Sequence, residues 1–244
     1  MLGEDFNMPF FPNYPDALYL FGNETDPVEF PNLVAYSEIL DKVKNNSSFY
    51  QKYTIQNPER PDSVSYRFYR NPNYHWTFFY LNDNLRESGW PLTNAQFDEK
   101  IADDFPNTVI ETRNDIFNSF LVGQTVTGVE SGKTGTIIKR DLNIGHIFIE
   151  GSIDFVSGEG FVSSADQSIS SVATYEQKDA PLYYVDGDGK IISIDPFTGP
   201  GSNNSVTYSE YYRKRNEELK DIIVMKPDVM NQFISEFTRT MRIV

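Results

Sequence analysis

The chain has 244 residues, 39% of them hydrophobic and 15% aromatic, so its apolar surface is concentrated in 19 Phe and 15 Tyr rings. With 21 Lys and Arg against 35 Asp and Glu the formal charge is −14, which repels phosphate backbones and anionic bilayers and argues against nucleic acid or a membrane as partner. No cysteine occurs, which excludes disulfides, thiolate nucleophiles and Cys-ligated metals, and neither a basic leader nor a run of about 18 apolar residues is found.

Residues 1–31 carry Pro9, Pro12, Pro15, Pro27 and Pro31 among seven Phe and Tyr rings. Proline at this density blocks regular helix and central strand, which predicts an extended arm. Solvated segments are depleted in large rings, so Phe6, Phe10, Phe11, Tyr14, Tyr19 and Phe21 are expected to lie on a surface, that of a partner subunit or of the chain's own core. Over 32–44, Leu33, Tyr36, Ile39, Leu40 and Val43 fall at helical spacing behind Asn32 as a cap.

The stretch FYQKYTIQ reads as a short strand before the turn-rich NPERPDS. Two short helices follow, DSVSYRFY stopped by Asn71-Pro72, and NYHWTFFYLNDN stopped by Asn82, Asp83 and Asn84. Residues 116–165 change character to Gly, Val, Ile and Thr with turns every eight to twelve residues. VGQTVTGV, GTIIKR, GHIFIE and EGFVS are predicted strands of a small barrel or sandwich. PLYYV and KIISI flank Asp186-Gly187-Asp188-Gly189 as a hairpin, and PFTGPGSNNSV reads as a flexible loop. A helix around TYSEYYRKRNEEL, the strand-like DIIVMK and a helix from Asp228 close the chain; Val229, Phe233, Phe237, Thr240 and Met241 share a face of that last helix.

Several motifs imitate chemistry and fail on spacing. GVESGKTGT places only Val129, Glu130 and Ser131 between Gly128 and Gly132 and runs into a strand, so it reads as a β-turn and not a phosphate loop. DGDGKIISID puts Lys190 where a calcium loop needs oxygen, so it reads as the hairpin turn. The only histidines, His75 and His146, fall in different modules, and neither neighbours a nucleophile-elbow sequence. No carboxylate is framed by a recognisable motif. No catalytic residue, metal site or cofactor is expected.

The run NPERPDSVSYRFYRNPNYHWTFFYLNDN resembles a LysM module, with Pro61, Asp62, Tyr69, Asn71, Pro72, Trp76 and Asn82 at matching places. Arg60-Pro61 stands where that family has a glycine before the aspartate, and Ser63 replaces threonine, near where glycan-binding members hold sugar. More widely, RNPNYHWTFFYLNDNLRESGW, the hairpin around DGDGK and the ending IIVMKPDVMNQFISEFTRTM are similar to the baseplate wedge protein 53 family of contractile-tailed phages. FLVGQTVTG, SGKTGTII and FVSGEGFVS look like a small β-barrel repeat common in phage tail proteins.

The resemblance implies an α+β fold: an aromatic arm over 1–31, a helix plus LysM-like βααβ core over 32–115, an inserted all-β barrel over 116–165, and over 166–244 a hairpin, loop and C-terminal helices completing the core. Tyr69, Asn71, Pro72, Trp76, Asn82, Asp83, Asn84, Gly89 and Trp90 would form its structural motif, Trp76 anchoring the second helix and Gly89-Trp90 turning the chain back onto it. It further implies a non-catalytic virion protein, assembled in the host cytoplasm. In multiple copies, it would join neighbouring wedge proteins, the sheath-initiator region and the central hub in the tail baseplate. The alternative implied by the LysM likeness alone is a peptidoglycan-binding module, standing by itself or attached to a cell-wall hydrolase.

Overall fold

The computed structural model describes residues 16–20, 26–31, 47–57 and 59–243. The expected helix over 32–44 and the rings of Phe6, Phe10, Phe11, Tyr14 and Phe21 lie outside these residues. The fold is α+β, and the chain divides into two compact units, Met1–Pro91 with Glu217–Val244, and Leu92–Asn216.

The first unit begins with a departure from the extended arm. β1 (Asp16–Tyr19) and β2 (Val28–Pro31) pair antiparallel, Leu18 opposite Glu29 and Tyr19 opposite Val28. Pro27 precedes β2 and Pro31 ends it, positions where a missing N–H interrupts no ladder, so proline density does not forbid this hairpin.

β3 (Tyr50–Thr54) then leads to α1 (Pro61–Tyr69), a 3-10 turn (Pro72–Tyr74), α2 (Trp76–Leu81) and α3 (Asp83–Ser88). Pro61 stands in the first turn of α1, where no N–H partner exists to lose, and Arg70 ends the helix in the left-handed region at φ 55. The second predicted helix stops at Asn82 as expected, but Asp83 and Asn84 open a further helix instead of ending the helical run. The break at Asn82 has an extended backbone, φ −117 and ψ 105.

The strand that completes this unit arrives only after the second unit has been traversed. β13 (Asp221–Met225) pairs antiparallel with β3, Ile223 opposite Lys52, and the helix Pro227–Ile243 follows it. Ile55, Val64, Phe78, Leu85, Ile222 and Val224 form one buried cluster, and Tyr80, Leu81, Met225, Met230 and Phe233 a second. β13 contributes to both, because Ile222 and Val224 point one way and Met225 the other.

The second unit opens with α4 (Asn94–Asp104), whose start is fixed by a capping box between Thr93 and Gln96. A closed six-stranded barrel follows: β4 (Thr108–Thr112), β5 (Thr125–Gly128), β6 (Thr134–Asp141), β7 (His146–Ile149), β8 (Gly160–Ser163) and β9 (Ser168–Glu176), in the order β4-β7-β6-β5-β8-β9. Ile110, Phe120, Val126, Ile137, Ile147 and Phe161 fill its interior. The barrel therefore exceeds the 116–165 segment in both directions. The four strands expected there are present, but β4 and β9 pair with each other to close the sheet and remove its edges.

After the barrel, β10 (Pro181–Val185) lies between β11 (Ile191–Ile192) and β12 (Asn204–Thr207). β12 occupies part of the segment whose composition reads as a flexible loop. α5 (Tyr208–Glu218) runs on to the end of this unit at Asn216. The segment 166–244 is thus divided: the hairpin and most of α5 belong with the barrel, and only β13 and the last helix complete the first unit.

Candidate functional site

Of the residues singled out between Tyr69 and Trp90, Asn82 and Tyr69 close on β13. The Asn82 carboxamide is buried; its Nδ2 donates to Phe78 O and to Ile223 O, both at 2.8 Å, and its Oδ1 accepts from Ile223 N at 2.8 Å. The side chain thereby occupies the place of a neighbouring strand along β13. The Tyr69 hydroxyl donates to Met225 O at 2.9 Å, and burial raises its pKa.

Trp90 Nε1 donates to Glu59 O at 2.8 Å, its ring lying beside Phe78 and Phe79. Gly89, at φ +85, makes the reversal that turns this indole inward. Trp76 is half-buried, edge-on to Tyr80 and tilted against Phe233. Asn71 shapes the corner, its side chain accepting from Asn73 N at 3.0 Å and its carbonyl from the Ser65 hydroxyl at 2.7 Å. Pro72, Asp83 and Asn84 face solvent, and Asp83 pairs with Arg86 at 2.9 Å.

The loop before α1 is tied down. Tyr53, Glu59 and Arg67 form one hydrogen-bonded group, Tyr53 donating to the Glu59 carboxylate and Arg67 to both. The Glu59 carbonyl is already committed to Trp90.

No family model and no curated protein matches this chain. What it does has to be carried by its own geometry.

The imitation phosphate loop proves to be wrapped around an internal anion. Glu159 is 1% exposed, and its carboxylate accepts from Glu130 N, Ser131 N and Val156 N at 2.9 Å and from the Ser131 hydroxyl at 2.8 Å. Burial works to raise the pKa of Glu159, but these four donors outweigh it and hold the group below its ordinary value. A Cβ at Gly128 would come within 2.5 Å of both carboxylate oxygens, so the close approach requires glycine. The second imitation is a hairpin turn in which Asp186 Oδ1 accepts from Asp188 N and Lys190 N.

One polar cluster escapes sequence reasoning. Glu111 on β4 and Arg113, just past the end of that strand, are ion-paired; the Tyr175 hydroxyl donates to Glu111 Oε2 at 2.9 Å. His146 lies directly across the ladder from Glu111, fully buried, with neither ring nitrogen hydrogen-bonded. Burial first, and the Arg113 charge second, push its pKa down to about 4. No carboxylate or hydroxyl among the described residues is hydrogen-bonded to this imidazole. His75, the other histidine, places Nδ1 2.9 Å from Pro72 O.

Among the described residues no three His, Asp or Glu side chains gather as a metal site requires, and no helix is long and apolar enough to cross a membrane. The surface instead carries large apolar groups. Phe117 and Val122 are 65% and 60% exposed, with Leu121 and Ile138 also in solvent. Arg140 pins this loop to β6 by donating to Ile116 O at 2.6 Å and Ser119 O at 2.9 Å.

Proposed function

We propose that this chain is a structural component of a phage contractile-tail baseplate wedge, joining neighbouring wedge subunits around a central hub by protein–protein contacts. Its first unit is read as a LysM-like βααβ core, β3 and β13 being the two strands and α1 and α2 the helices between them. The barrel unit is read as an insertion before the second strand.

The observation that carries the reading is where the motif side chains are spent. Tyr69, Asn82 and Trp90 close on backbone groups inside the unit, while Phe117, Val122 and their neighbours stand in solvent on a pinned loop. Side chains committed to rigidity with apolar groups left outside suit adhesion better than turnover. Glycan recognition is disfavoured by the same geometry, since Glu59 is held by Tyr53 and Arg67 and its carbonyl by Trp90.

Deleting residues 2–21 tests the reading. The truncated chain, which loses the β1–β2 ladder, should otherwise keep its secondary structure and its melting temperature and fail to enter particles in a complementation assay. Normal incorporation of the truncated chain would overturn the expectation that Phe6, Phe10, Phe11, Tyr14, Tyr19 and Phe21 bind a partner subunit. Pull-down by peptidoglycan, or turnover of a cell-wall polymer lost on mutating an acid pair, would overturn the assembly reading as a whole.

A further inference from the structure

The β3–β13 sheet is closed on one side and open on the other. Ile55 N donates to Lys220 O and Lys226 N to Phe49 O, so Phe49, Gln51, Tyr53 and Ile55 turn their backbone groups towards β13. The same alternation turns Asp221, Ile223 and Met225 outward on β13, where Asn82 satisfies Ile223 and Tyr69 caps the carbonyl of Met225. On the opposite edge Tyr50, Lys52 and Thr54 face outward. Among the described residues only the Thr54 carbonyl of these backbone groups is taken, by the Gln56 carboxamide at 2.9 Å. Among the described residues no strand pairs with this edge. An edge left unpaired is a template for another strand.

The chain itself carries a segment of matching chemistry. β1 and β2 make a ladder of two strands that exposes Leu18 at 66%, Leu20 at 65% and Val28 at 45%. Such a hairpin is marginal until it gains a third strand or a packing face. β2 ends in Pro31, which has no N–H to offer, whereas β1 is Asp-Ala-Leu-Tyr with every donor present. The sequence of β1 also contains an acid, Asp16, of opposite charge to Lys52 in the middle of the open edge. Pairing of β3 with its own copy about a twofold axis centred there would place Lys52 opposite Lys52, a like-charge pair.

We propose that the outer edge of β3 receives the β1–β2 hairpin of a second copy, with β1 added as a third strand. The inference rests on the assembly reading above and specifies which segment bridges neighbouring copies and where it lands. A hairpin of one copy on the edge of the next is a head-to-tail contact, which closes into a ring or runs on as a chain.

The full-length protein tests this by sedimentation velocity and cross-linking. Wild type should associate with rising concentration, and Lys52→Glu should weaken association about five-fold, as should Asp16→Lys, with association recovered when the two variants are mixed. Because the chain has no cysteine, Leu18→Cys and Thr54→Cys can be mixed with a short bismaleimide. The mixed dimer should exceed either homodimer. Thr54→Cys homodimers in excess would show edge-to-edge pairing and overturn the proposal, and so would wild type that stays monomeric to its solubility limit. A monomer that still enters particles would sink this contact while leaving the assembly reading standing. If Lys52→Glu fails to fold by circular dichroism, the cross-linking of the two cysteine variants decides alone.

Discussion

Asn82→Ala removes one side chain and strands two backbone groups. Among the described residues the carboxamide is the only partner of the outward N–H and C=O of Ile223, while Phe78 O keeps its bond from Asn82 N at 3.1 Å. Each newly unsatisfied group costs about 1–3 kcal/mol, and Ile223 is half-buried, so water recovers part of the loss; the substitution should cost about 2–4 kcal/mol. The assay is selective because the two tryptophans, Trp76 and Trp90, both belong to the first unit. In urea the tryptophan-monitored midpoint should fall by about 2 M, taking a slope of roughly 1.5 kcal/mol per molar for a unit of this size. Asn82→Asp should do no better, since it keeps the acceptor for Ile223 N but buries a charge and loses both donors. A tryptophan transition within about 0.5 kcal/mol of wild type for Asn82→Ala would refute the view that this carboxamide holds β13 in place.

Acid should loosen the barrel unit through His146. Its pKa is lowered to about 4 when folded, so the unfolded chain binds the proton first; the stability it contributes is complete above pH 6.5 and falls as pH drops through the folded value, by about 3 kcal/mol in all. His146→Phe should abolish that fall in calorimetric melts between pH 7 and 4, and an unchanged pH profile would refute it. Glu159→Gln replaces an anion held by four donors with an amide that must turn its NH2 towards some of them. Calorimetry should show a loss of about 2–3 kcal/mol confined to the barrel transition, and wild-type stability would show that the loop does not depend on the charge.

Local pattern was enough for much of this architecture. Val, Ile and Thr between Gly turns announced β5 to β8, and the Asp186 turn announced its hairpin, because strand alternation and turn chemistry are written within a few residues. β4 escaped because Thr108–Thr112 is buried on both faces and shows no alternation, and β9 because Ser168–Glu176 begins as a serine-rich run that resembles a loop. Asn82 was visible as a polar stop. Its task was not, because the strand it clasps lies 141 residues downstream. The same holds for Glu159, whose loop partners are 28 and 29 residues away, and for His146, which meets Glu111 only through strand register.

That long separation raises a physical difficulty for the β3–β13 pair, and Asn216 resolves it. Holding the ends of an unstructured loop of roughly 125 residues together costs about 3 kcal/mol more than closing a loop of roughly five. The Asn216 carboxamide, 9% exposed, accepts from Leu92 N at 2.8 Å and donates to Leu92 O at 3.0 Å, so the first and last residues of the second unit are fastened to each other. Once that unit folds, the chain re-enters the first unit beside the point where it left, and the entropy of the long loop is no longer charged to the β3–β13 ladder. Asn216→Ala should therefore lower the tryptophan-monitored stability of the first unit by about 1–2 kcal/mol although the residue belongs to the other unit. A loss seen only in the barrel transition would mean that the two foldings are uncoupled and that β13 finds β3 without the clamp.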